Sequence, residues 1–178
     1  MKLYFVRHGH MDANPDTIVD PVTGQIDKPL DTLGTQQAET VAKELKDVSF
    51  DVLISSPLKR AYQTAESINK YHKLPIEIEK VWRERDTGGY VTAEVWSDLF
   101  NFDKTFLPEN TEGLHDFFQR VYGAVDKLKE KYADKTVLIV SHGGVHQALY
   151  AYVNKLELVG NVRNSPLHNC EVRAYEIV

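Results

Sequence analysis

Leu3-Tyr4-Phe5-Val6-Arg7-His8-Gly9 and Thr136-Val137-Leu138-Ile139-Val140-Ser141-His142-Gly143-Gly144 share one design: a short apolar run that ends in a histidine and a glycine turn. Continuous apolar runs of this length, bounded by polar turns, read as buried strands. Open α/β sheets bind their ligands just beyond the carboxyl ends of such strands. One run followed by a polar turn is commonplace. Two of them, each delivering an imidazole to the end of a buried strand, suggest that both histidines serve one site.

Working outward, strand patterns alternate with amphipathic helical ones, which predicts a three-layer α/β/α sandwich with a mostly parallel central sheet. Gly9 to Gly34 is rich in Asp, Pro, Asn and Gly and has no helical period; a loop of that length inside a compact domain is usually functional. Thr35 to Leu45 reads as a helix through Ala38, Val41, Ala42 and Leu45. Asp51 to Ile54 reads as a buried strand. Ser56-Pro57 then reads as an N-cap followed by proline at the first helical position, opening a helix to about Tyr71. Ile76 to Glu79 alternates as a strand, Leu114 to Tyr132 is the longest helix, a helix begins near Gly143, and Glu171 to Val178 is the closing strand. Residues 1–178 are expected to form one domain. Its regular pattern breaks at about 86–111, where Tyr90, Trp96, Phe100, Phe102 and Phe106 mix with Asp86, Glu94, Asp98, Asp103 and Glu109. That insert reads either as a small cluster packed under a loop or as a lid over a substrate.

The 178 residues carry 21 Lys and Arg against 26 Asp and Glu, a net charge of −5. With no basic stripe, this composition argues against nucleic acid or an anionic membrane surface as partner. No apolar stretch is long enough to span a bilayer, and the first strand begins too early for a signal peptide. The single Cys170 cannot form an internal disulfide. A cytoplasmic location is the expectation.

The chemistry points to phosphate. Guanidinium groups match phosphate geometry and stay charged, so Arg7 and Arg60 suit the equatorial oxygens of a transferring phosphoryl group. Arg60 falls in the first turn of its helix, where backbone N–H groups attract anions, and the N–H of Gly143 stands at a second such helix start. Taken alone, Arg60 would be a solvated surface charge. His8 is the candidate nucleophile, since an imidazole with an ordinary pKa of about 6.5 is free to attack near neutrality; a structural histidine at a strand end is the alternative. Glu84 is a candidate proton donor for a leaving alkoxide, because a carboxyl group beside a phosphate has its pKa raised. His8 with His10, or His142 with His146, would also suit a metal, although two neighbouring arginines would repel a cation.

Arg7-His8-Gly9 with Asn14, Thr23-Gly24-Gln25-Ile26-Asp27 leading to Pro29-Leu30, Ser55-Ser56-Pro57-Leu58-Lys59-Arg60-Ala61, Glu84-Arg85, Glu112 with Arg120, Ser141-His142-Gly143-Gly144 and Asn169 run in order along nearly the whole chain. Together they resemble the histidine phosphatase superfamily, which includes cofactor-dependent phosphoglycerate mutases and many small phosphatases. The resemblance implies a phosphoglycerate mutase-like fold, with His8 as the phosphorylated residue. It implies Arg7, Asn14, Arg60 and His142 as the phosphate pocket, Glu84 as proton donor and Thr23-Gly24 as substrate contacts.

Three departures from the family pattern stand out. His10 occupies a position often held by Glu or Gln. Gly113 replaces a common serine, which leaves the role of Glu112 open. Between Asp86 and Glu112 there is no pair of arginines for a substrate carboxylate, and Lys104 is the sole cation. The expectation is therefore a metal-independent phosphatase with no cofactor, acting on a small phosphorylated metabolite, with homodimerisation open. A mutase using the same residues is the catalytic rival, and a phospho-ligand binding module is the non-catalytic one.

Overall fold

A computed structural model of the chain describes residues 1–12, 25, 27–88, 98–104, 109–162 and 165–178. Five strands form one sheet: β1 (Lys2–Arg7), β2 (Val52–Ser55), β3 (Ile76–Ile78), β4 (Thr136–Ser141) and β5 (Val172–Glu176), in the order β3-β2-β4-β1-β5. All pairings are parallel except that of β5, which runs antiparallel to β1 on the edge. The central strands β2, β4 and β1 can lie inside a parallel sheet because they are largely apolar and buried, whereas the edge strands β3 and β5 are mixed and partly exposed. Along β4, Val137 and Ile139 join one core cluster while Leu138 and Val140 join the other, and all four are fully buried.

Each face is covered by two helices, giving three layers. Helices α1 (Thr32–Leu45) and α2 (Lys59–His72) bury Ala38, Val41, Ala42, Ala61, Ala65 and Ile68 against Val6, Leu53, Leu138 and Val140. Helices α3 (Leu114–Lys131) and α4 (Gly143–Asn154) cover the other face, with Phe117, Phe118, Val121, Val125, Val145 and Leu149 against Leu3, Phe5 and Ile139. Phe5 is fully buried in that layer, so truncating it to alanine would cost about 3–5 kcal/mol. It would also loosen the strand that presents Arg7 and His8. Among the described residues no helix is long and apolar enough to cross a membrane.

Two helix starts differ from the sequence expectation. Helix α1 begins at Thr32, three residues early, because the Asp31 side chain caps it by accepting from the Gly34 N–H at 2.7 Å. Helix α2 begins at Lys59 with Leu58 in the capping position and extended. Ser56 does not cap it. Its hydroxyl turns toward β4, and the Lys59 N–H is taken instead by the Asp27 carboxylate at 2.7 Å.

The chain leaves β1 for α1 on one face and leaves β4 for α4 on the other, so a crevice opens beyond the carboxyl ends of these neighbouring strands. The register places Arg7 opposite Ser141, and the His8 N–H donates to the Ser141 carbonyl at 2.9 Å. The Ser56 N–H donates to the Val140 carbonyl at 3.0 Å, bringing the end of β2 to the same point. Of the insert, Leu99 and Phe100 are buried in the core layer of α3 and α4, and Phe102 packs at its edge. Bridges Thr87 to Thr111 and Asn101 to Asn161 tie it down. Tyr90, Glu94, Trp96 and Phe106 lie outside the described residues.

Candidate active site

The β1 end holds His8 by both ring nitrogens. Its Nδ1 donates to the Gly9 carbonyl at 2.7 Å, and its Nε2 accepts from Arg60 Nε at 3.1 Å. Nε2 therefore keeps its lone pair. Burial, then the nearby Arg60 guanidinium, holds the His8 pKa well below the usual 6.5, so the ring is neutral at pH 7. Gly9 has to be glycine, because a Cβ there would stand 2.6 Å from the Gly34 carbonyl oxygen, where loop and α1 press together. The Asn169 side chain donates to the His8 carbonyl at 2.8 Å, fixing the residue from the far side.

The two arginines flank this ring from different elements. Arg60, 4% exposed, comes from the first turn of α2. Arg7 comes from the last residue of β1 and is anchored by Nη1 donating to the Leu167 carbonyl at 2.7 Å. Burial lowers both pKa values, that of Arg60 to about 10, so both stay charged near neutrality. Glu84 and Asp27 are the carboxylates that offset them.

At the β4 end, the His142 ring stands edge-on to His8 with centroids 5.1 Å apart. His142 Nε2 meets the Ser56 hydroxyl at 2.8 Å, while its Nδ1 is buried without a hydrogen-bond partner among the described residues. Arg7 Nε is likewise buried and partnerless. A Cβ on Gly143 would be 3.6 Å from Arg7 Nε, which puts that nitrogen beside the start of α4. Two unsatisfied buried nitrogens next to a helix N-terminus make a seat for an anion. Burial first, and then Arg60, His8 and Arg7, hold the His142 pKa well below its ordinary value.

Glu84 reaches the same crevice from the turn after a short 3₁₀ helix (Lys80–Trp82). Its carboxylate accepts from the Gly144 N–H at 2.8 Å and from the Arg85 N–H at 2.9 Å. A Cβ on Gly144 would run into that carboxylate, so only glycine lets it sit at the head of α4. The turn is pinned by Arg120, which makes a two-pronged pair with Glu112 at 2.7 and 2.8 Å and donates to the carbonyls of Val81 and Arg83. Glu112 is thus a brace for the Glu84 segment. The Gln25 side chain donates to the Glu84 carbonyl at 2.9 Å and bridges to the long loop.

Of the sequence candidates, Arg7, His8, Arg60, Glu84, His142 and Gly143 meet in one crevice; Asn14, Thr23 and Gly24 lie outside the described residues. Ser56, Asp27, Arg120 and Asn169 belong to the site's support but received no such role from the sequence. All stand in the ordered motifs, and that was the one signal available. Neither histidine pairing suggested for a metal forms. His10 Nδ1 is bonded to Asp31, and His146 is held by Tyr175 and the Ser165 carbonyl. Among the described residues no group of three or more His, Cys, Asp or Glu side chains converges on a metal position.

Comparison with known proteins agrees with this geometry. The sequence profile of the histidine phosphatase superfamily (branch 1) matches residues 3–178. A Bacillus subtilis protein named uncharacterized phosphatase PhoE is 36% identical over 149 residues, covering 84% of this chain and 75% of that protein. The Escherichia coli adenosylcobalamin/alpha-ribazole phosphatase is 32% identical over 161 residues, covering 85% and 78%. Among solved structures, the alpha-ribazole phosphatase from Shigella flexneri superposes with a TM-score of 0.84 at 29% identity, over 100% of this chain and 91% of that one. A mycobacterial glucosyl-3-phosphoglycerate phosphatase does so with a TM-score of 0.81 at 26% identity, over 97% and 88%. The chain is a histidine phosphatase, a member of branch 1 of that superfamily from end to end of its sheet.

Proposed function

We propose that the chain hydrolyses a small organic phosphomonoester without a metal, through a phosphohistidine on His8. The observation that carries this reading is the His8 tautomer: Nδ1–H is committed to the Gly9 carbonyl, and Nε2 is unprotonated, its lone pair accepting from Arg60 Nε. In the first step Arg60 Nε–H turns from Nε2 to a phosphate oxygen, and the freed Nε2 forms a bond to phosphorus as the bond to the leaving oxygen breaks. Glu84, which takes up a proton when the negatively charged phosphate binds beside it, gives that proton to the leaving oxygen, and the Gly9 carbonyl steadies the cationic ring through Nδ1–H. Arg7, Arg60 and the Nδ1 side of His142 compensate the equatorial oxygens. In the second step water attacks phosphorus, Glu84 takes back the proton, and the N–P bond breaks to release inorganic phosphate and neutral His8. Asn14, Thr23 and Gly24 are assigned to the phosphate and the leaving group on the family resemblance.

Residues 1–178 act as one domain in this reading, with the insert at about 86–111 as the cover over the leaving group. Its chemistry favours a phosphatase over a mutase. Lys104, the sole cation between Asp86 and Glu112, already pairs with Asp98 at 3.7 Å. Arg85 is fully buried and spends Nε and Nη1 on the Glu112 and Leu99 carbonyls, so it keeps Nη2 alone and offers no two-pronged fork to a substrate carboxylate. A panel of phosphorylated metabolites should therefore release phosphate after exhaustive chelation. Bisphosphoglycerate-primed interconversion of 2- and 3-phosphoglycerate should be slow beside it. Faster interconversion than any phosphate release would replace phosphatase by mutase, and loss of activity with EDTA, restored by a divalent ion, would refute the metal-free reading.

A further inference from the structure

His8 and His142 sit at equivalent strand ends but are held by different partners, a carbonyl and a guanidinium for one and a hydroxyl for the other, and the hydrogen bonds around Ser56 show what that does to His142. The Ser56 hydroxyl and the His142 ring are both fully buried, with oxygen and Nε2 2.8 Å apart. Among the described residues, the only other hydrogen bond of that hydroxyl is as acceptor, from the Leu58 backbone N–H at 3.4 Å. If His142 Nε2 carried the proton and donated to Ser56, the hydroxyl hydrogen would be buried with no acceptor, at a cost of about 1–3 kcal/mol. If instead the hydroxyl donates to Nε2, serine is satisfied in both roles, and the ring proton resides on Nδ1. There it joins Arg7 Nε as a buried donor lacking a partner.

We infer that the Ser56 hydroxyl sets the tautomer of His142, masking Nε2 as an acceptor and leaving Nδ1–H as a donor for a phosphate oxygen. This rests on the phosphatase reading for its use but not for its geometry. Ser56 is thus a positioning residue: it makes His142 an anion donor through Nδ1.

The test is long-range ¹H–¹⁵N NMR of the full chain, with the His142 ring signals identified by their loss in His142→Gln. The wild type should show a protonated Nδ1 and an unprotonated Nε2, and Ser56→Thr, which keeps the hydroxyl, should show the same. Ser56→Ala should move the ring toward the Nε2–H form and weaken binding of inorganic phosphate. It should also lower kcat/KM by up to about 10²-fold, the lower end of what losing one such donor costs, with phosphoenzyme still forming on His8. An Nε2–H ring in the wild type would overturn the inference, as would Ser56→Ala leaving tautomer and kcat/KM unmoved. If Ser56→Ala does not fold, the wild-type and Ser56→Thr spectra decide the matter alone. A failure to find phosphohistidine would sink the catalytic reading and leave the NMR result intact.

Discussion

The ends of β1 and β4 are near copies in sequence and opposites in chemistry. At β1 the imidazole donates through Nδ1 to its neighbour's carbonyl, and Nε2 accepts from the Arg60 guanidinium. At β4 the imidazole is gripped through Nε2 by a hydroxyl from another strand, and Nδ1 is left without a partner. A histidine's role here is decided by which nitrogen the surroundings occupy. In the proposed mechanism the same strand-histidine-glycine design thus yields an attacking group on one side and a binding group on the other.

The strongest way to break this comparison is to remove each ring in turn. His8→Ala should lower kcat by about 10⁴-fold or more, as loss of a nucleophile does, and steady-state turnover of p-nitrophenyl phosphate measures it. Similar losses for His8→Ala and His142→Ala would mean the two ends are not specialised.

Glu84 depends on the β4 side for its seat, through the Gly144 N–H. Glu84→Gln should slow alkyl phosphates by about 10²–10⁴-fold while sparing p-nitrophenyl phosphate, whose phenolate departs without a proton. Gly144→Ala should follow the same pattern more weakly, because its new methyl displaces the carboxylate. Equal losses on both substrates would remove Glu84 from the role of acid.

His142→Ala should cost about 10²–10³-fold, the usual penalty for one lost donor to a developing charge. It should do so without abolishing the phosphoenzyme, which quench experiments would show directly.

The smallest effect is on stability. His146, one turn along α4, is fully buried, and burial lowers its pKa to about 4. Unfolded, it titrates near 6.5. Between those values the unfolded chain binds the extra proton, so this group's contribution falls as pH drops from about 6.5 to about 4 and is constant above. The loss amounts to about 3 kcal/mol. Denaturant unfolding at several pH values should show a shallower acid decline in His146→Gln than in the wild type. Parallel curves would contradict the assignment.

Much of this was legible beforehand, for physical reasons that also mark the limits. β1, β4 and α3 announced themselves because their apolar residues serve packing on known faces, and Arg7, His8, Arg60, Glu84 and His142 carry side chains whose chemistry is visible in the letters. The support did not. The Leu167 carbonyl that anchors Arg7 has no signature in its residue type, and Asp27 caps α2 from 32 residues away in sequence. Ser56 looked like a helix cap because Ser-Pro is a good local start, but the long-range partner His142 outcompeted the local one. Glu112 showed its purpose only when Arg120 was placed across from it.

The claim that the two strand ends are specialised is tested most directly by mapping the covalent intermediate. Rapid quenching with labelled substrate, followed by peptide mapping under alkaline conditions, should place the phosphoryl group on His8 alone, as an acid-labile, base-stable adduct. His142→Ala should carry it on His8 and His8→Ala should carry none. Label on His142, a base-labile adduct, or trapping that survives His8→Ala would contradict the account.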